Sequence, residues 1–224
     1  MLNEIKGKLV VSCQALENEP LHSAMIMGRM AIAAKNAGAC GIRAQGVEDI
    51  LEIKRVTGLP VIGIIKKDYP DSEVYITATQ KEVQALIDAG CDMIALDATK
   101  RVRPNGELTE DLLALIKKAN IESMADISTL DEAIAAEKMG FDCVSTTLAG
   151  YTPYSTNVEG PNIQLIQQIL QNVTIPVIAE GKIHEPKQLK AVMDLGVHSA
   201  VVGGAITRPQ EIAARFIKEL KQGE

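Results

Sequence analysis

Short apolar runs recur along the chain and alternate with stretches whose apolar residues return at helical spacing. The runs predict strands over Leu9–Cys13, Gly41–Arg43, Val61–Ile65, Met93–Leu96, Ser123–Asp126, Cys143–Thr146, Pro176–Glu180 and Ala200–Gly203. The stretches between them predict helices over Ala24–Asn36, Glu48–Thr57, Gln80–Asp88, Glu110–Ala119, Leu130–Met139, Ile163–Asn172, Pro186–Leu195 and Pro209–Lys221. Alternation of this kind implies parallel strands joined by helical crossovers. Eight such units in 224 residues favour a closed (β/α)8 barrel over an open sheet. No linker divides the chain, so one domain over residues 1–224 is expected.

An internal echo supports eight units. Ala37-Gly38, Ala89-Gly90, Met139-Gly140 and Leu195-Gly196 each close a predicted helix a few residues before a strand. Glycine at a helix C-terminus reverses the chain at little steric cost. These glycines lie 52, 50 and 56 residues apart, roughly two strand–helix units each, and so mark every second strand. Leu59-Pro60-Val61-Ile62-Gly63 and Ile175-Pro176-Val177-Ile178-Ala179 mark strands three and seven, their prolines 116 residues apart.

Composition fits this picture. Hydrophobic residues make up 46% but aromatics only 3%, so the core must be aliphatic, as strands covered on both faces require. The net charge of -6 supplies no general attraction for nucleic acid, and any anion site must be local. Cys13, Cys40, Cys91 and Cys143 are 27, 51 and 52 residues apart, which is neither a zinc nor a redox spacing. They read as small buried residues in a reducing compartment. No run reaches the ~18 apolar residues of a membrane span, and the start is too polar for a signal peptide. A cytoplasmic protein without membrane partners is expected.

Barrels of this type carry their sites at the C-terminal ends of the strands. There the chain offers Gln14, Arg43, Lys66, Asp97, Asp126, Ser145 to Thr147, Glu180, Gly181, Gly203, Gly204 and Arg208. Glu180 and Lys66 lie four and six residues beyond the matching prolines, so both leave the same face of their strands. If that face points inward, the two meet across the barrel mouth. A partly desolvated lysine can lose its proton near neutral pH, and a carboxylate beside it can act as acid or orient the amine. Gly203 and Gly204 let backbone N–H groups approach an anion ahead of a helix N-terminus. Gly181 would complete this phosphate site, and Arg208 could add a bidentate contact. Arg43 is either a substrate anchor or the partner of a carboxylate. Asp126 could touch substrate hydroxyls or hold Arg43 or Lys66. Asp97 reads either as structural or as part of a small polar network with Thr99 and Lys100. His22 is the one histidine placed near the mouth, with His184 and His198 peripheral. The Gly150-Tyr151-Thr152-Pro153-Tyr154 loop could cover a ligand. No His and carboxylate pair has metal-ligand spacing, so no metal is expected.

Eight segments together resemble one family. They are Ser12-Cys13-Gln14-Ala15, Ile42-Arg43-Ala44-Gln45-Gly46, Gly63-Ile64-Ile65-Lys66 and Ala95-Leu96-Asp97-Ala98-Thr99-Lys100-Arg101. They continue as Ala125-Asp126-Ile127-Ser128-Thr129, Ser145-Thr146-Thr147-Leu148-Ala149-Gly150-Tyr151-Thr152, Ile178-Ala179-Glu180-Gly181 and Val202-Gly203-Gly204-Ala205-Ile206-Thr207-Arg208-Pro209. In this order they resemble the N-acetylmannosamine-6-phosphate 2-epimerases of bacterial amino-sugar and sialic acid catabolism. The resemblance implies interconversion of N-acetylmannosamine 6-phosphate and N-acetylglucosamine 6-phosphate without metal or redox cofactor. It implies Lys66 and Glu180 as the catalytic pair, and Gln14, Arg43 and Asp126 on the sugar. Arg208, Gly181, Gly203 and Gly204 would hold the phosphate. A Schiff-base phosphosugar aldolase and a non-enzymatic sensor of a phosphometabolite are the alternatives. The last predicted helix could pack on its own barrel or on a partner, and the expectation leans to a homodimer.

Overall fold

The computed structural model describes residues 1–221. Its strands are β1 (Leu9–Cys13), β2 (Gly41–Gln45), β3 (Val61–Ile64), β4 (Met93–Asp97), β5 (Glu122–Asp126), β6 (Cys143–Ser145), β7 (Val177–Glu180) and β8 (Ser199–Val202). Each pairs in parallel with the next, and β1 pairs with β8, closing the barrel. The helices are α1 (Leu2–Ile5), α2 (Ala24–Asn36), α3 (Val47–Thr57), α4 (Gln80–Asp88), α5 (Thr109–Lys118), α6 (Leu130–Met139), α7 (Ile163–Asn172), α8 (Pro186–Asp194) and α9 (Pro209–Lys221). The fold is the expected (β/α)8 barrel, with one helix, α1, that the sequence pattern did not announce.

Local chemistry explains the helix ends. Thr129 and Glu132 form a reciprocal cap on α6, with Thr129 N donating to Glu132 Oε2 at 3.0 Å and Glu132 N to Thr129 Oγ1 at 3.3 Å. Gly140 ends that helix at φ 96, a left-handed conformation that only glycine adopts without strain. The other three glycines of the repeat also have positive φ.

Alternation along each strand separates two apolar layers. Val10, Ile62, Ile64, Met93, Ala95, Met124, Cys143, Ile178 and Val201 fill the barrel interior, and Ile5 of α1 plugs the N-terminal end. Val11, Ile42, Val61, Ile94, Leu96, Ala125, Val144 and Ala179 face the helices. Continuing the inward series toward the C-terminal ends reaches Ser12, Lys66, Asp97, Asp126, Ser145, Glu180 and Gly203. The parity argument for Lys66 and Glu180 therefore points both at the barrel axis.

One irregularity shapes the mouth. β3 and β4 pair only through Ile62 with Met93 and Gly63 with Ile94. Above that point the chain returns between them. Lys66 bridges Ile76 in antiparallel fashion, Thr77 N donates to Ile65 O at 2.7 Å, and Asp97 N donates to Ile76 O at 3.1 Å. Ile76 thus joins the interior layer.

Two expectations need correction. Cys13, Cys91 and Cys143 are buried, but Cys40 is only half-buried, because it precedes β2 at the barrel rim. Asp97 does sit in a structural network, but its cation is Arg101 at 2.5 Å, not Lys100. The Lys100 ammonium instead lies 4.0 Å from the centre of the Tyr154 ring. Among the described residues no helix is long and apolar enough to cross a membrane.

Candidate active site

The strand ends surround a cavity of about 290 Å³. Gln14, Arg43, Lys66, Glu180, Gly181, Gly203, Gly204 and Arg208 all line it. Asp126 lies beneath the floor, fully buried.

Arg43 is the centre of the floor. Its side chain is buried, and a buried guanidinium must be paired. Asp126 receives it bidentately, at 2.6 Å from Nη2 and 3.0 Å from Nη1, and Glu180 Oε2 accepts from Nη1 at 2.9 Å. Burial alone would depress the guanidinium, but Asp126 and Glu180 more than offset this and raise its pKa above the ordinary value. Both open readings of Arg43 therefore meet: it is a carboxylate partner that also borders the cavity. Its Nε, buried without a partner, is the one such side-chain atom among the described residues.

Thr147 completes the network. Its hydroxyl lies 2.7 Å from Asp126 Oδ1, 3.1 Å from Glu180 Oε2 and 2.9 Å from Ser145 Oγ. The Thr146 hydroxyl donates to Glu180 O at 2.8 Å and accepts from Glu180 N at 3.1 Å. Backbone and carboxylate of Glu180 are thus both held from the turn that follows β6. Burial raises the Glu180 pKa despite the opposing pull of Arg43.

Lys66 differs. Its backbone N donates to Gln45 Oε1 at 3.2 Å, and its ammonium makes no ion pair within 4.0 Å among the described residues. Lys66 and Glu180 share the cavity but do not touch, because Glu180 is drawn down to Arg43. Burial pulls the Lys66 ammonium down to about 8, and the cations Arg208 and Arg43 reinforce this. Glu180 and Asp126 oppose the shift without cancelling it. The result is an amine that gives up its proton near neutral pH, facing a network able to hold or release one.

At the far wall, Gly203 approaches β1 so closely that a Cβ there would lie 3.1 Å from Ser12 Cβ. The Thr207 hydroxyl donates to Ser12 O at 2.6 Å and pins the turn after β8. Gly181, at φ 104, and Lys182, at φ 54, turn the chain after β7 along the cavity. Gln14 Nε2 donates to Ser12 Oγ at 2.6 Å.

Residues 27–222 match the family model described as "Putative N-acetylmannosamine-6-phosphate epimerase". A Clostridioides difficile (strain 630) protein described as "Putative N-acetylmannosamine-6-phosphate 2-epimerase" is 62% identical over 221 residues, 99% of each chain. The chain belongs to the N-acetylmannosamine-6-phosphate epimerase family. The solved N-acetylmannosamine-6-phosphate 2-epimerase from Clostridium perfringens superposes with a TM-score of 0.96 at 61% identity, covering 97% of this chain and 95% of that one. Thiamine phosphate pyrophosphorylase from Pyrococcus furiosus, at 20% identity and a TM-score of 0.62, shares the fold.

Several cavity residues of this family member were not singled out from the sequence. Thr147 is an exception: the sequence offered it, with Ser145 and Thr146, at the end of strand six. Tyr75 and Ile76 line the cavity only because the loop after β3 folds back, which has no local signal. His184 also lines it, so its peripheral placement is overturned: the left-handed turn at Gly181-Lys182 brings it inward. His22 is instead bound through Nδ1 to Ala15 O at 3.1 Å, outside the cavity, and His198 Nε2 contacts Leu2 O at 2.9 Å at the opposite barrel end. Tyr151 reaches the cavity, whereas the Tyr154 hydroxyl donates to Glu132 at 2.6 Å. Among the described residues no group of three or more His, Cys, Asp or Glu side chains is placed to hold a metal ion.

Proposed function

We propose that this protein interconverts N-acetylmannosamine 6-phosphate and N-acetylglucosamine 6-phosphate by removing and returning the proton at C2. In the open-chain sugar, C2 lies beside the C1 aldehyde, so its hydrogen is acidic. Neutral Lys66 takes that proton. The C2–H electron pair forms a C1–C2 double bond, and charge moves to O1, where the cationic Arg43 region stabilises it. A proton returned to the opposite face of C2 inverts the centre. Glu180, whose carboxyl burial favours the protonated form, is the donor in this reading. Gln14 and Arg43 orient the sugar, and Asp126 acts on it through Arg43, which it holds from beneath the floor. Gly181, Gly203, Gly204 and Arg208 take the phosphate.

Family membership supports the substrate. The observation that carries the mechanism is the pairing, in one cavity, of a lysine lowered to about 8 with a carboxyl raised by burial. Two titrating groups pushed in opposite senses mark acid and base roles. Four free cysteines fit a reducing cytoplasmic setting. Exposed Phe216, Ile217 and Leu220 on α9 fit a homodimer.

Incubation with N-acetylmannosamine 6-phosphate in deuterated water, followed by proton NMR, tests this. The expected product is N-acetylglucosamine 6-phosphate carrying deuterium at C2, with Lys66→Ala inert. Product that retains its C2 proton would rule out exchange through Lys66. No conversion would remove the substrate assignment.

A further inference from the structure

Arg208 lines the cavity wall, and its guanidinium is already engaged by two carboxylates. Nη1 lies 2.8 Å from Glu211 Oε1, and Nη2 lies 3.1 Å from Glu19 Oε1. The two partners are not equivalent. Glu19 comes from the loop between β1 and α2, where its second carboxylate oxygen accepts from Leu16 N at 3.2 Å. Glu211 is the third residue of α9, and its carboxylate folds back over the turn. There it packs against Gly204 so tightly that a Cβ on Gly204 would collide with Glu211 Oε2. The absence of a side chain at Gly204 thus makes room for a carboxylate.

That carboxylate occupies the surface assigned above to the phosphate. Two anions at one guanidinium and one stretch of backbone repel each other. A phosphate can take a bidentate contact from Arg208 only when one carboxylate gives way. We infer that Glu211 is a competitor built into the phosphate site, leaving Arg208 and Gly204 as the phosphate enters and returning as it departs. Glu19 stays on the other edge of the guanidinium and keeps it aimed at the cavity. The arrangement holds phosphate affinity below what Arg208 and the glycines alone would give, which speeds release of a product that carries the same phosphate as the substrate. This inference rests on the phosphate reading of Gly203, Gly204 and Arg208.

The test is titration calorimetry of inorganic phosphate into the full-length protein and its Glu211→Gln, Glu19→Gln and Arg208→Ala variants. Glu211→Gln is expected to bind phosphate about three- to tenfold tighter, the range set by losing one partly exposed charge pair and its repulsion. Glu19→Gln should gain less, and Arg208→Ala should bind more weakly than the native protein. A structural lesion does not tighten binding, so the gain reads competition directly. Unchanged or weaker binding by Glu211→Gln, with Arg208→Ala still impaired, would overturn the inference and leave the phosphate reading intact. An equal gain from Glu19→Gln would also overturn it, since only general charge would then matter. Undiminished binding by Arg208→Ala would remove the phosphate reading, and the inference with it.

Discussion

Lys66 has its basicity set by burial first and by neighbouring cations second. Its pKa of about 8 fixes the sign of the pH dependence. The neutral amine is the base, so kcat/KM is expected to rise with pH through about 8, and to fall where the Glu180 acid loses its proton. Lys66→Arg keeps the charge but stays protonated, and should lose about 10²–10⁴-fold in kcat together with that limb of the profile. Steady-state rates across pH 6 to 9.5 would show both. Arg43 presents the complementary case, a buried cation that cannot neutralise itself. Asp126→Ala would strip its bidentate partner and is expected to cost about 3–5 kcal/mol of stability, measured by denaturant titration. The sequence placed Arg43, Lys66, Asp126 and Glu180 at the mouth because strand parity is a local property. It did not reveal that Glu180 binds Arg43 rather than Lys66, because that choice depends on side-chain reach across the barrel.

At the scale of elements, the segment carrying Lys66 is held by a residue far along the chain. The Arg103 side chain is buried, and it donates to the carbonyls of Thr77 at 3.2 Å, Ala78 at 3.1 Å and Asp97. It therefore clamps the returning segment of the loop after β3 to the end of β4, opposite the Lys66–Ile76 bridge. Thr77 sits at φ 45, a conformation a threonine adopts only when its surroundings impose it. Arg103→Ala should cost about 3 kcal/mol through several lost charge-assisted bonds. It should also speed hydrogen exchange over residues 74–79 and lower kcat more than it changes KM. Faster exchange without a fall in kcat would separate this clamp from Lys66. Regular elements were legible because period and caps are local, and α2, α4, α6, α7 and α9 have the bounds that the pattern predicts. The inserted segment over Val74 to Thr77 was not, because its partners Ile65, Lys66 and Asp97 are supplied by other parts of the fold. α1 escaped because its four residues are too few to show a period, although Ile5 and Leu2 secure it to the N-terminal end of the barrel.

At the scale of the whole molecule, stability and site depend on how closely the helices pack on the barrel. Gly63 is a point of close contact between β3 and the helices. A Cβ there would collide with Cys91 Sγ, and would lie 3.1 Å from Leu86 Cδ2 and 3.2 Å from Ile50 Cδ1. These atoms belong to α3, α4 and the entry to β4, so a single methyl group would push three elements outward at once. Interiors packed to crystal density do not absorb such an insertion freely. Gly63→Ala is therefore expected to destabilise by about 1–3 kcal/mol. Strain there would also reach Lys66, three residues on. The nearest obstruction is a sulfur that makes no disulfide, which offers a decisive control. Cys91→Ala alone should leave a small cavity and a modest loss. Combined with Gly63→Ala it should recover much of the first variant's deficit, so the two changes would be less harmful together than their sum. Denaturant midpoints of the two single variants and the double variant measure this coupling. Simple additivity would mean that the cost of Gly63→Ala lies in the strand backbone, and that the helix layer yields to the added methyl after all.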